Sequence, residues 1–236
     1  MTKISAKLAN INNKIQAALE RVQRNANDVH IIAVTKEVSV SRTVEAIEAG
    51  LVHLGENRPE GLKNKTEAIQ KQVYWHYIGS LQTRKVKQVI DEIEYLHSLD
   101  RISLAEEIEK RATKQVKCFV QVNVSGEESK HGLTPDLVLP FIESLQDYKK
   151  IEVVGLMTMA PNTDDEATIR TVFRKLKQCQ QEIAERALAH APCTQLSMGM
   201  SNDFEIAVEE GATFVRVGTA LVGNERGDQD EYEKQN

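Results

Sequence analysis

A lysine that follows two aliphatic residues at alternate positions is an unusual place for an amine. His30-Ile31-Ile32-Ala33-Val34-Thr35-Lys36 reads as a short buried strand, a β-branched run bounded by polar residues and ending on that lysine. Counting by two, Ile32, Val34 and Lys36 share one face. An interior face would desolvate the amine and leave it available as a nucleophile toward an aldehyde. If Lys36 is instead the first residue of a loop, its amine stands in water. Two further stretches carry chemistry. Ser197-Met198-Gly199-Met200-Ser201-Asn202-Asp203 opens a helix, and helix N-termini offer free N–H groups to an anion. In Arg216-Val217-Gly218-Thr219, small residues let the backbone approach a ligand.

These stretches must be positioned by the elements around them. Ile4, Leu8, Ile11, Ile15, Leu19 and Val22 recur at helical spacing, so the chain opens with an amphipathic helix broken at Asn25 to Asp28. After the strand ending at Lys36, Ser41 is the expected N-cap of a short helix with Val44 and Ile47 facing inward, ended by Gly50. Further strands are expected at 51–57, 74–79, 95–99, 118–124, 152–159, 195–198 and 213–218. Helices are expected after Pro59, over 85–93, 101–113, from Pro135, over about 164–190, and over 204–209. Eight alternations of strand and helix mean parallel βαβ units, and eight units suit an α/β fold of the closed (β/α)8, TIM-barrel type. About 250 residues is typical for such a barrel, and this chain has 236. The expected architecture is one barrel domain over 1–236 with an extra N-terminal helix and a flexible polar tail at 224–236. A doubly wound open sheet is the alternative. His30, His53, His76 and His97 each fall at or near a strand start. They are read as ordinary polar residues there, with no chemistry assigned.

The site of a (β/α)8 barrel lies at the C-terminal ends of its strands, and phosphate is frequently held by the loops after strands seven and eight. Those loops hold the Ser197–Asp203 stretch and Gly218-Thr219, while Lys36 stands at the end of strand one. An amine facing a phosphate site fits pyridoxal 5'-phosphate (PLP), with Lys36 as its Schiff-base partner. No Walker sequence, GxGxxG, GxSxG or HExxH is present. Cys118, Cys179 and Cys193 have no pairing or metal spacing and read as structural thiols of a reducing compartment. A net charge of −5 gives no general attraction to nucleic acid. No apolar run approaches the roughly 20 residues that span a bilayer. Neither a signal-peptide core nor a transit peptide is read at the N-terminus, so the cytoplasm is the expected location.

Seven stretches in order resemble one family. They are Ile32–Lys36, Gly55-Glu56-Asn57, His76–Gln82, Val122–Glu127, Gly155–Met159, Ser197–Ser201 and Val215–Thr219. Together they look like the pyridoxal phosphate homeostasis protein family, over nearly the whole chain. The resemblance implies a single barrel similar to the N-terminal domain of alanine racemase, with PLP on Lys36. It implies Ser201, Gly218 and Thr219 around the phosphate, Arg216 facing the pyridine nitrogen and Asn57 beside the ring. Val34, Ser197 and Met200 complete the expected cofactor set. Arg84 and Asn202 depart from the family's commonest pattern, and neither replaces a proposed cofactor contact.

Two classes of function follow. The resemblance implies a carrier or regulator that balances PLP and amino-acid pools without robust catalysis. The other is a small single-domain amino-acid racemase, in which Lys36 would be catalytic. Racemisation needs an acid/base on each face of the carbanion, and in alanine racemase the opposing tyrosine comes from a second domain for which this chain leaves no residues. Tyr74 and Tyr77 are expected to pack. A charged arginine at the pyridine nitrogen would also weaken the electron sink. Expected partners are PLP, amino acids as external aldimines and PLP-dependent apoenzymes, for a monomer that binds neither nucleic acid, metal nor membrane.

Overall fold

The structure, a computed structural model, describes residues 3–127, 130–223 and 225. The expected tail lies outside the described residues except for Glu225. That carboxylate accepts from the backbone N–H and hydroxyl of Ser39 at 2.5 and 2.9 Å.

The elements run α1 (Lys3–Arg21), β1 (His30–Val34), α2 (Val40–Glu48), β2 (His53–Glu56), α3 (Pro59–Ala68) and β3 (Tyr74–Tyr77). A 3₁₀ segment (Thr83–Gln88), β4 (Tyr95–Leu99), α4 (Ile102–Arg111), β5 (Val116–Gln121), α5 (Pro135–Ser144) and β6 (Ile151–Met157) follow. The chain then forms α6 (Glu166–Ala184), β7 (Gln195–Ser197), α7 (Phe204–Glu209), β8 (Phe214–Val217) and α8 (Thr219–Val222). All eight strands are parallel, and β8 returns to pair with β1, closing the barrel expected from the sequence.

Two cores hold it. Ile32, Tyr95, Phe119, Val154, Met157 and Phe214 fill the barrel itself. The larger core, including Leu54, Leu62, Leu104, Phe173 and Leu176, lies between the strands and the helices outside them. Each strand therefore alternates between two buried surroundings: aliphatic residues dominate the helix side, and the interior adds the aromatic rings of Tyr95, Phe119 and Phe214. The extra helix α1 lies against α7 and α8. Arg24 clamps the end of α7 by donating to the carbonyls of Val208 and Ala212 at 2.5 and 2.9 Å.

Some boundaries differ from expectation. The N-cap of α2 is Ser39, whose hydroxyl accepts from the Arg42 N–H, and Ser41 lies inside the helix. The stretch read as a helix over 85–93 is a 3₁₀ segment over 83–88, with Val86 and Val89 buried three residues apart. That spacing suits the three-residue period of a 3₁₀ turn. Helix α6 ends at Ala184 instead of near His190. Several strands are one to three residues shorter than read, because apolar runs continue into loops that stay buried.

Where β6 meets β7 the backbones leave no room for a side chain. A β-carbon on Gly155 would sit 1.9 Å from the carbonyl oxygen of Gln195. Gly155→Ala must therefore push these paired strands apart. It is expected to lower unfolding free energy by about 3 kcal/mol or more, at the upper end of overpacking effects. Urea unfolding checks this, and a loss below about 0.5 kcal/mol would contradict the packing described.

Candidate functional site

The strand of Lys36 stops earlier than its sequence suggests. β1 ends at Val34, and the Thr35 N–H adds one more bond to the Gly55 carbonyl at 3.0 Å. The chain then turns as Val38 N–H donates to Thr35 O at 3.1 Å. Lys36 lies in this turn and is exposed, so the strand-end placement of the sequence reading is corrected to a loop at the rim. Ile32 and Val34 keep the inward parity, and Val34 is half-buried at the mouth.

The turn is anchored by a buried ion pair. On the helix side of β2, Glu56 accepts from Lys65 of α3 at 2.5 Å, with both side chains at most 5% exposed. Glu56 also accepts from the Thr35 hydroxyl at 2.6 Å, and Lys65 donates to the Thr35 carbonyl at 2.5 Å. Four polar groups thus satisfy one another outside the barrel wall, directly before Lys36. The sequence reading used Glu56 only within a motif. Its signal was the strand parity, which places Glu56 outward with Leu54, where a charge needs a partner from a helix. Asn57 follows on the inward parity and is half-buried.

The loop after β7 is braced from below. Gly199 has φ +90°, and a β-carbon there would lie 2.5 Å from that of Ala207. The Met200 N–H donates to the Asp203 carboxylate at 2.5 Å. Asp203 is 9% exposed, and burial raises its pKa against the opposing pull of the Met200 N–H and Arg216. This bracing leaves Met200 exposed and Ser201 half-buried on the rim. Gly218 and Thr219 begin α8, a single turn. Gly218 lies beside Val34, across the β8–β1 seam.

Arg216 is the charge of the barrel floor. It is 5% exposed, donates through Nη1 to Ser197 Oγ at 2.6 Å, and through Nη2 to the Thr158 carbonyl at 3.0 Å. Burial pushes its pKa down to about 10, so the guanidinium stays charged near neutrality. Ser197 is fully buried, with its hydroxyl engaged by Arg216 and by His97.

The histidines are the main departure from expectation. His53 Nδ1 lies 2.9 Å from His76 Nε2, His76 Nδ1 lies 2.8 Å from His97 Nε2, and His97 Nδ1 lies 2.9 Å from Ser197 Oγ. They are a connected interior column rather than separate strand-start residues. His76 stacks on Tyr95 and His97 on Phe119, at ring distances of 4.4 and 4.5 Å. Burial holds His76 and His97 well below the ordinary imidazole range and brings His53 to about 4. The near-regular spacing along the chain was visible. What it lacked was the stagger of the barrel, which brings inward residues of successive strands within bonding distance.

Lys65→Met would strand the Glu56 carboxylate among apolar atoms. It is expected to cost about 3–5 kcal/mol of stability, as when one partner of a buried pair is removed. Adding Glu56→Leu should recover most of this loss. Chemical denaturation of the single and double variants checks both, and a single variant within about 1 kcal/mol of the unaltered protein would refute the anchoring role.

Over residues 8–226 the chain matches the family described as the alanine racemase N-terminal domain. It is 39% identical over 224 residues to the pyridoxal phosphate homeostasis protein of Aquifex aeolicus, covering 93% of this chain and 97% of that one. The human protein of the same name is 31% identical over 244 residues, covering 93% and 86%. Among solved structures it is similar to PipY of Synechococcus elongatus with PLP bound, at TM-score 0.81 and 30% identity over 94% of this chain and 100% of that one. Alanine racemase from Clostridium difficile shares the fold at TM-score 0.70 and 15% identity, over 90% of this chain and 55% of that one. Built on that barrel and alike along nearly its whole length, the chain belongs to the pyridoxal phosphate homeostasis protein family.

Proposed function

We propose that this protein binds pyridoxal 5'-phosphate at the barrel mouth and serves the homeostasis of PLP and amino-acid pools without robust catalysis. The observation that carries this reading is a buried, charged guanidinium under the same rim that bears Lys36 and the Gly218-Thr219 turn. The donors suit the group. Lys36 supplies the amine for the aldehyde, and Arg216 faces the pyridine nitrogen. Asn57 and Val34 flank the ring. Ser201, Thr219 and the first N–H groups of α8, which lack intrahelical partners, hold the phosphate, with Met200 covering that edge. Ser197 acts from beneath, through Arg216. A β-carbon on Gly218 would meet Val34 at 3.6 Å, an ordinary contact.

When bound, PLP supplies an aldehyde and an electron-withdrawing ring. A permanent cation at the ring nitrogen opposes its protonation and so weakens that withdrawal. Carbanion chemistry would also need a second acid/base. Among the described residues, Tyr77 is buried on the helix side of β3, with burial and Glu60 pushing its pKa up to about 12. Tyr74 stacks on His53 at the opposite end of the barrel, and Tyr95 lies within the barrel. Tyr148 packs against the outer core just ahead of β6, so the racemase alternative has no opposing tyrosine at the rim among the described residues. The exposed position of Lys36 suits a cofactor that amino acids and acceptor apoenzymes can reach. We place the protein in the cytoplasm as a monomer. No helix among the described residues is long and apolar enough to cross a membrane.

Borohydride reduction of PLP-loaded protein followed by peptide mapping is expected to label Lys36. Label on any other lysine would overturn the assignment. For the phosphate, Ser201→Ala removes one donor to a charged group, worth about 1.5–3 kcal/mol, so PLP should bind roughly tenfold to hundredfold more weakly. Pyridoxal lacking phosphate should bind far more weakly still. Equal affinity for the two vitamers would remove the phosphate site.

A further inference from the structure

The imidazole column has a direction, which can be derived from donors and acceptors. A guanidinium only donates, so Ser197 Oγ accepts from Arg216. The Ser197 hydroxyl hydrogen then has His97 Nδ1 as its acceptor. A neutral ring that accepts at Nδ1 carries its proton on Nε2, and His97 Nε2 faces His76 Nδ1. That nitrogen must accept in turn, so His76 is protonated at Nε2, which faces His53 Nδ1. One orientation satisfies every link, with each ring neutral and each donor pointing away from the buried cation. The reverse orientation would crowd two donors onto Ser197 and leave its hydroxyl hydrogen to find another acceptor.

We propose that His53, His76 and His97 are positioning residues, an oriented hydrogen-bonded chain that fixes Ser197 and, through it, the guanidinium of Arg216. A hydroxyl that donates becomes a better acceptor, because linked hydrogen bonds polarise one another. The chain thereby strengthens the contact that aims Arg216 and keeps other positive charge out of the barrel. Neutrality of the rings follows from their surroundings. His76 and His97 are fully buried. At the lower end His53 is faced by His30 from β1, Tyr74 from β3, Tyr95 from β4 and Lys117 from β5. A proton on His53 would meet that lysine and break the link to His76. The consequence for the cofactor rests on the proposed PLP site, whereas the direction of the chain does not.

The test starts with cofactor-free protein carrying ¹⁵N-histidine. All three rings are expected to be neutral Nε2–H tautomers from pH 8 to about 5, with Nδ1 hydrogen-bonded. His97→Phe keeps a ring against Phe119 but removes the acceptor, and Ser197→Ala cuts the chain while leaving all three imidazoles. In both, the Arg216 Nη hydrogens should exchange with water about tenfold faster or more. PLP should bind about tenfold more weakly, as for loss of one net hydrogen bond, with a shifted absorbance band. His97→Gln, whose amide can accept and donate across a similar span, should restore the slow exchange. Mixed tautomers or a protonated ring above pH 6 would overturn the proposal. So would unchanged Arg216 exchange in the two folded variants. Failure of the unaltered protein to bind PLP would overturn the functional reading alone, since the tautomer and exchange measurements need no cofactor.

Discussion

A guanidinium inside a β-barrel constrains everything near it. Arg216 is buried in a barrel whose interior also holds Ile32, Phe119, Met157 and Phe214, and removing such a charge from water is expensive unless it is fully bonded. Its partners are accordingly fixed themselves. Thr158 offers its carbonyl while its own hydroxyl donates to Val122 O at 2.8 Å. Ser197 is held from the other side by His97. Asp203, beyond the rim of the interior, supplies the nearest opposing charge while bracing the loop after β7. The same cation contributes to the neutrality of the histidines, since its charge adds to burial in lowering the pKa of His97.

A second buried polar cluster performs a parallel task outside the wall. Glu56, Lys65 and Thr35 tie the end of β1 to β2 and α3. The two clusters are separated by the strand backbone and face opposite ways, one toward the helices and one toward the barrel axis. Between them they fix the two sides of the mouth: the turn carrying Lys36, and the floor carrying Arg216. Apart from Val34 and Arg216, which are on strands, most of the residues that would touch a ligand lie on short loops, and the residues that hold those loops are buried in rigid elements. This is how a site on loops attains the precision of a scaffold.

The barrel was legible because its signal repeats. Eight apolar runs alternate with helical patterns, and each was found within a few residues of its place. Boundaries failed where burial continues past the ladder, as at Thr35, which is buried yet lies outside β1. The rim residues were legible from strand ends and from a resemblance carried by seven motifs. Their support was not. Nothing local in the sequence distinguishes His76, fully buried between two other rings, from His30, which is exposed at the start of β1, two strands away. The difference arises from strand stagger, which exists only once the sheet has closed. Lys65 likewise reads as one of several lysines on an amphipathic helix until β2 presents it with an outward carboxylate.

Sharing a barrel with alanine racemase does not by itself carry racemase chemistry, since one fold hosts many activities. In the proposed site, what a bound ring could do would depend on the charge of Arg216. An arginine with lowered pKa of about 10 still holds its proton throughout the neutral range. Relocating that charge would require breaking two hydrogen bonds inside a packed interior. The electrostatics of the floor are therefore preorganised and do not respond to what arrives at the mouth. Under the proposed placement of the ring, such a floor would favour holding it unprotonated over stabilising a carbanion, and among the described residues the proposed column of neutral imidazoles would supply no cationic acid to reverse that preference. The proposed binding without vigorous chemistry would then rest on one buried charge and the donors and acceptors that keep it in place.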